Sequence, residues 1–237
     1  MVLVNSSTVI KMESINFSPL WLSMKTATIS TMIVFVFGVF LAYIMTRKHF
    51  VGKGMIEAFF LLPLVLPPTV VGFGLLYLFG KNGVIGKFLL QYFDLQIVFS
   101  WYGALLAAIV VSFPLMYQSA KAAFQQYDRN LEHVAKTLGK SSWQIFWSIS
   151  FPLAWPGLLS GIVLAFARGL GEFGATLMVA GYIPNVTDTI PLAIYFAVET
   201  GNLDEAKFWV IIIIILGYIA ILWLNWWRRQ NMMRHHH

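Results

Sequence analysis

Long apolar runs separated by short charged loops constrain this chain more than any other feature. A helix needs about 20 mostly apolar residues to cross roughly 30 Å of hydrocarbon. Five stretches qualify, at residues 20–45, 56–79, 101–123, 152–180 and 208–227, the last carrying the unbroken run Ile211 to Ile215. Charged residues make up 11% of the 237, and mean hydropathy is +0.74. A soluble domain carries about a quarter charged residues, so this chain lacks the charge to coat a water-soluble globule. The expected fold class is all-α, a polytopic membrane protein with five spanning helices.

Loop charge gives the orientation. Arg47, Lys48 and Lys53 follow the first stretch; Lys121, Arg129, Lys136 and Lys140 lie between the third and fourth; Arg228, Arg229 and Arg234 follow the fifth. These ten outnumber the five on the other side, Lys11, Lys25, Lys81, Lys87 and Lys207. Basic loops stay cytoplasmic, which places the N-terminus outside and the C-terminus inside a bacterial cytoplasmic membrane. Residues 1–19 lack a cleavable leader pattern and are expected to form an outer segment, the first apolar stretch serving as an uncleaved anchor. Residues 230–237 form a tail whose closing Arg234-His235-His236-His237 resembles an expression-tag remnant. An outer loop at residues 80–100 has a turn signal at Asn82-Gly83 and an expected interfacial helix at 85–93.

Several function classes have no support. The chain has no cysteine, hence no disulfide or thiolate metal site. His49 and His133 have no ligand partner at metal spacing. No basic segment interleaved with aromatics suggests nucleic acid. No phosphate-binding loop or hydrolase motif occurs, so no cofactor and no catalytic residue are expected.

Residues 127–156 hold the most informative pattern. Asp128 or Asn130 can cap a short helix and Gly139 can end it. Ser141 or Ser142 can cap a second, over 143–150, expected to stop before Pro152. Leu131, Val134, Ala135 and Leu138 fall at helical spacing on one face. Two short helices around a bend make a knob suited to a groove on a soluble partner. A plain hairpin linking two spans fits the spacing comparably; the span count and orientation favour the coupling reading.

Here the chain resembles the ABC importer permease family, type I. That family's coupling signature is Glu-Ala-Ala, three residues, Gly, nine residues, Ile-x-Leu-Pro. His133, Val134, Ala135, Gly139, Ile149 and Pro152 fit the spacing. His133, Val134 and Phe151 replace the usual Glu, Ala and Leu, and Glu132 stands one residue early. The resemblance implies a transmembrane domain over 20–229 with short cytoplasmic coupling helices in a loop at 128–152. It also implies a second copy of the chain, two ABC ATPase subunits that hold ATP and Mg2+, and a periplasmic or lipid-anchored binding protein.

A second resemblance covers 168–195. Gly171-Glu172-Phe173-Gly174-Ala175, Ile183-Pro184 and Thr189-Ile190-Pro191 look like the molybdate permeases, as does Pro63-Leu64-Val65-Leu66-Pro67-Pro68. The first of these strings is shared with sulfate permeases; the compact five-span layout favours molybdate, with tungstate as its congener. The resemblance implies that the outer segment 181–201 faces the binding protein with a re-entrant piece.

The same residues carry their own physics. Arg168 and Glu172 stand four apart inside an apolar span, where charges face a bundle interior or an aqueous cavity. They are either a structural ion pair, the commoner outcome, or a pathway and gate element together with Phe173 and Gly174. Gly161, Gly169, Gly171 and Gly174 allow close helix packing. Pro63, Pro67 and Pro68 interrupt the second span, which is therefore expected to be covered by protein or to line a cavity, as a kink or as a gate. An ion-coupled secondary transporter is the main rival; it would use intramembrane carboxylates, and only Glu172 lies deep in a span.

Overall fold

The computed structural model describes residues 16–234, without the side chains of Asn225 and of residues 228–234. The expectations for the segment before residue 16, including Lys11, for the side chains of Arg228, Arg229 and Arg234, and for the terminal histidines lie outside the described residues.

Helices account for the described fold. They are α1 (Ser18–Arg47), α2 (Lys53–Val65), α3 (Pro68–Phe79), α4 (Val84–Phe93), α5 (Trp101–Gln126), α6 (Asn130–Thr137), α7 (Ser142–Ile145), α8 (Phe151–Leu170), α9 (Gly174–Ala180), α10 (Ile190–Glu199) and α11 (Leu203–Arg234). A π-turn over Phe146–Ser150 joins α7 to α8. Among the described residues four helical segments are long and apolar enough to cross a membrane, and the bent pair α2–α3 makes a fifth if counted as one span.

The core is the packing of α5 between α1 and α8. Its fully buried residues include Val34, Met116, Phe124 and Leu158, with Ala42, Ala120 and Ala165 where the helices come closest. At Gly161 an added Cβ would stand 2.8 Å from Ser119 Cβ, so α8 meets α5 at a distance only glycine permits. Two buried hydroxyls of this core are satisfied within their own helices: Thr31 donates to the Ala27 carbonyl at 2.6 Å and Ser112 to the Ala108 carbonyl at 2.6 Å. Hydrocarbon offers no solvent to do this instead.

The structure corrects three boundaries. The second short helix does not stop before Pro152; the helix runs unbroken from Ser142 to Leu170. Proline at 152 has no N–H for the normal ladder and crowds the carbonyl four residues back. The backbone widens just before it, with the Phe151 N–H bonding to the Phe146 carbonyl five residues earlier, and so absorbs the proline without ending the helix. The stretch 152–180 is likewise not one helix. It ends at Leu170, turns through Gly171, Glu172 and Phe173, and resumes as α9. Arg168 and Glu172 therefore do not share a helix. Third, α2 and α3 meet at 113° across Leu66 and Pro67. Among the described residues nothing covers this break: α2 buries no residue, and Pro67 and Pro68 are exposed.

Candidate functional site

Two breaks in apolar helices meet on the side of the bundle. A Cβ added at Gly174, the start of α9, would lie 2.8 Å from Pro68 Cβ, the start of α3. One turn on, Gly72 faces Met178 Cβ at 2.8 Å and the Ala175 Cα at 3.0 Å by the same construction. Val71 and Leu75 of α3, Ala107 and Val111 of α5, and Ala175 and Val179 of α9 seal this contact as one apolar cluster. Depth follows from Gly169, whose Cβ position lies against Ser30 Oγ at 3.1 Å and near Ala27 and Ala108. These belong to the interiors of α1 and α5, so the breaks lie well within the span.

Arg168 and Glu172 sit at this junction. Arg168 Nη1 approaches Glu172 Oε2 to 2.6 Å, off the hydrogen-bonding angle, so the pair is held by charge. Glu172 Oε1 accepts the Ala175 N–H at 2.8 Å and thereby caps α9. The two partners differ in access: the Glu172 side chain is 2% exposed and that of Arg168 is 29% exposed. The carboxylate is locked in protein while the arginine side chain keeps part of its surface open. Phe173 turns instead toward α10, its ring centroid 5.2 Å from that of Tyr195. Pro63 stands apart, inside α2. Of the expected gate residues, Arg168, Glu172, Gly174 and Pro68 are thus brought together, with Pro67 next to them.

The knob is built from α6, a bend at Gly139 with φ +82°, and α7. Asp128 Oδ1 accepts the Asn130 N–H at 2.9 Å at its start. Ser141 and Gln144 cap α7 reciprocally, each side chain bonded to the other's backbone N–H. Glu132 points inward. It accepts from Arg47 Nε at 3.1 Å, from Arg47 Nη2, from the Tyr127 hydroxyl and from Ser150 Oγ at 2.7 Å. One carboxylate therefore ties α6 to the ends of α1 and α5 and to the π-turn. Burial pushes the Glu132 carboxyl up, but hydrogen bonds from Tyr127, Arg47 and Ser150 outweigh it and hold it below the usual carboxylate range. Burial and the bond to Glu132 push the Tyr127 phenol up to about 12.

The knob's outer face is apolar. Leu131, Val134 and Leu138 are exposed, the last at 77%, and Trp143 and Trp147 continue the surface. Ala135, expected on the same face, is buried. His133 is exposed on another side, Ile149 is half-buried in the π-turn and Pro152 follows it.

Sequence reasoning missed Arg47, Tyr127 and Ser150 as members of the Glu132 network. Arg47 lies 85 residues from Glu132, and no local pattern connects them. It also missed the pair between Lys121 Nζ and Glu57 Oε2 at 2.9 Å, which ties α2 to α5. The α9 cap had a usable signal: a carboxylate between two glycines, three residues before a free backbone N–H.

This arrangement defines a membrane-embedded helical subunit in which the junction of broken helices and the exposed apolar knob are separate. The chain belongs to the family of binding-protein-dependent transport system inner membrane components, whose model matches residues 34–230. Within that family it is similar to the molybdenum transport system permeases. It is 44% identical to ModB of Escherichia coli K12 over 90% of this chain and 93% of that one. It is 41% identical to ModB of Haemophilus influenzae, again over 90% and 93%. In fold it matches a chain of the bacterial alginate ABC transporter complex with TM-score 0.71 and 16% identity, over 91% of this chain and 78% of that one. A chain of the inward-facing MetNI methionine ABC transporter matches with TM-score 0.68 and 15% identity, over 90% and 94%. The protein is thus a multi-pass inner-membrane permease component of a binding-protein-dependent transport system, with the fold of ABC importer transmembrane domains.

Proposed function

We propose that two copies of this chain form the pathway of an ATP-driven importer for molybdate and its congener tungstate. Similarity to molybdenum transport permeases over nine-tenths of the chain supports the substrate. Sulfate-type permeases are more distant, at 32% identity for a Chlorella vulgaris relative. The observation that carries the pathway is the uncovered break at Pro67. Broken backbone facing lipid is expensive, so the exposed side of α2 and the start of α3 must meet protein or water. A second copy related by two-fold symmetry supplies both.

Arg168 then offers a half-accessible positive charge to a passing dianion, while Glu172 keeps that charge from becoming a deep trap, as weak sites favour passage. Pro68, Gly174 and the neighbouring Pro67 and Phe173 form the deformable part; Pro63 is a kink in α2. Two ATPase subunits, holding ATP and Mg2+, dock their grooves on the apolar face around Leu138, across the loop at 128–152. Glu132 turns the knob into a rigid lever. The N-terminus lies outside, where a binding protein delivers the oxyanion, and the C-terminus lies in the cytoplasm.

Reconstitution with the ATPase and binding protein tests this directly. Molybdate-loaded binding protein should stimulate ATP hydrolysis, and uptake should be vanadate-sensitive. Uptake driven by a proton or sodium gradient without ATP would overturn it.

A further inference from the structure

A cavity of about 380 Å3 lies between the end of α1 and the inner flank of α6. Its charged lining is Arg47, Lys48, Arg129 and Lys136, with His133 beside them and Glu132 the one carboxylate. Two of the cations are engaged: Arg47 by Glu132, and Arg129 by the Thr46 carbonyl at the end of α1. Lys48 and Lys136 are exposed and enter no ion pair among the described residues. The cavity therefore holds a surplus of positive charge. Tyr43 and Ile44 give it an apolar wall that continues down α1 into the span.

The two faces of α6 separate this cavity from the docking surface. At about 100° per residue, Arg129, His133 and Lys136 lie roughly opposite Leu131, Val134 and Leu138. A partner that takes the apolar face leaves the basic flank turned toward α1. Basic pockets at the inner ends of spanning helices suit the headgroups of anionic lipids.

We propose that this cavity binds the phosphate headgroup of an anionic phospholipid, with the acyl chains laid along Tyr43 and Ile44. Lys48 and Lys136 hold the phosphate, and the lipid braces the lever formed by Arg47 and Glu132. A free oxyanion would need only the charges; the apolar wall running on from them favours a lipid. The idea rests on the inner-side placement of the knob proposed above.

The test is native mass spectrometry of the detergent-purified permease–ATPase complex after exposure to phosphatidylglycerol, cardiolipin or phosphatidylcholine. The wild type should retain the two anionic lipids. Lys48→Gln with Lys136→Gln should lower retention at least five-fold, and Lys48→Arg with Lys136→Arg should restore it. Lys81→Gln with Lys87→Gln, on the far side, should leave it unchanged. Equal retention by the Gln pair, or equal retention of phosphatidylcholine, would overturn the proposal. Displacement of the lipid by millimolar inorganic phosphate or molybdate would replace it with a free-oxyanion site. Retention is read in micelles and does not depend on sidedness, so misplacement of the knob would appear separately, in labelling of a cysteine at Gly139 on intact cells.

Discussion

The junction inside the span and the knob at the end of α1 and α5 use the same chemical device differently. Each centres on a carboxylate met by an arginine. In the knob, Glu132 collects Arg47, Tyr127 and Ser150 and binds four segments into one body. In the span, Glu172 has Arg168 and one backbone N–H, and its arginine is left half-open. A carboxylate near the polar interface can afford many partners and becomes stiff. One at a helix break has few partners, and the elements it joins can separate. Under the proposed function this difference divides labour: the knob transmits motion and the junction yields to it.

The largest expected effect tests the junction. Arg168→Gln should abolish uptake while the complex still assembles, because it removes the accessible charge. It also leaves Glu172 buried and unpaired, and breaking a buried pair costs about 3–5 kcal/mol, toward the low end here given the exposure of Arg168. Glu172→Gln should lower the melting temperature of the detergent-solubilised complex less, since its amide oxygen can still accept the Ala175 N–H. Equal melting effects would undo the asymmetry drawn between the partners.

The next effect tests the knob's outer face. Leu138→Asp with Trp143→Asp should remove the ATPase from the purified complex, measured by co-purification, without unfolding the permease. Both side chains are exposed, so their loss leaves no cavity in the chain itself.

Gly174→Val should reduce uptake strongly with modest loss of stability, about 1–3 kcal/mol as for other overpacked sites. The added methyls would force the starts of α3 and α9 apart. Thermal melting and uptake on the same preparation separate the two consequences.

The smallest effect sharpens the contrast. Glu132→Gln should keep the ATPase docked and hydrolysing but cut uptake several-fold, a partial uncoupling read as ATP consumed per molybdate moved. The Glu132 carboxyl is held below its ordinary value near 4.5, so its contribution to stability is full above that pH and is lost as pH falls below it. Thermal melting of the wild type should therefore show no loss from this network between pH 8 and 5.

Much of this was legible in the sequence because it is local. Apolar length gave α1, α5 and α11, glycine gave the bend at 139, and paired prolines gave the break at 67. The Arg168–Glu172 contact was also legible, though not its helix boundary. The apolar run through 152–180 hides a break that only the cap on Ala175 explains, and hydrophobicity does not sense a missing backbone bond. Pro152 misled in the other direction, because a π-turn can absorb a proline that a regular helix cannot. The Glu132 hub was out of reach for a different reason: its partners come from the ends of separate spans, and packing rather than spacing brings them together.

The central claim is that the ATPase, acting through the knob, moves the junction. The chain contains no cysteine, so a single cysteine at Leu66, beside the break, can be labelled without background. In the reconstituted complex, a membrane-impermeant thiol reagent applied from the binding-protein side should react several-fold faster after vanadate trapping than without nucleotide. Identical labelling rates in all nucleotide states would contradict the account.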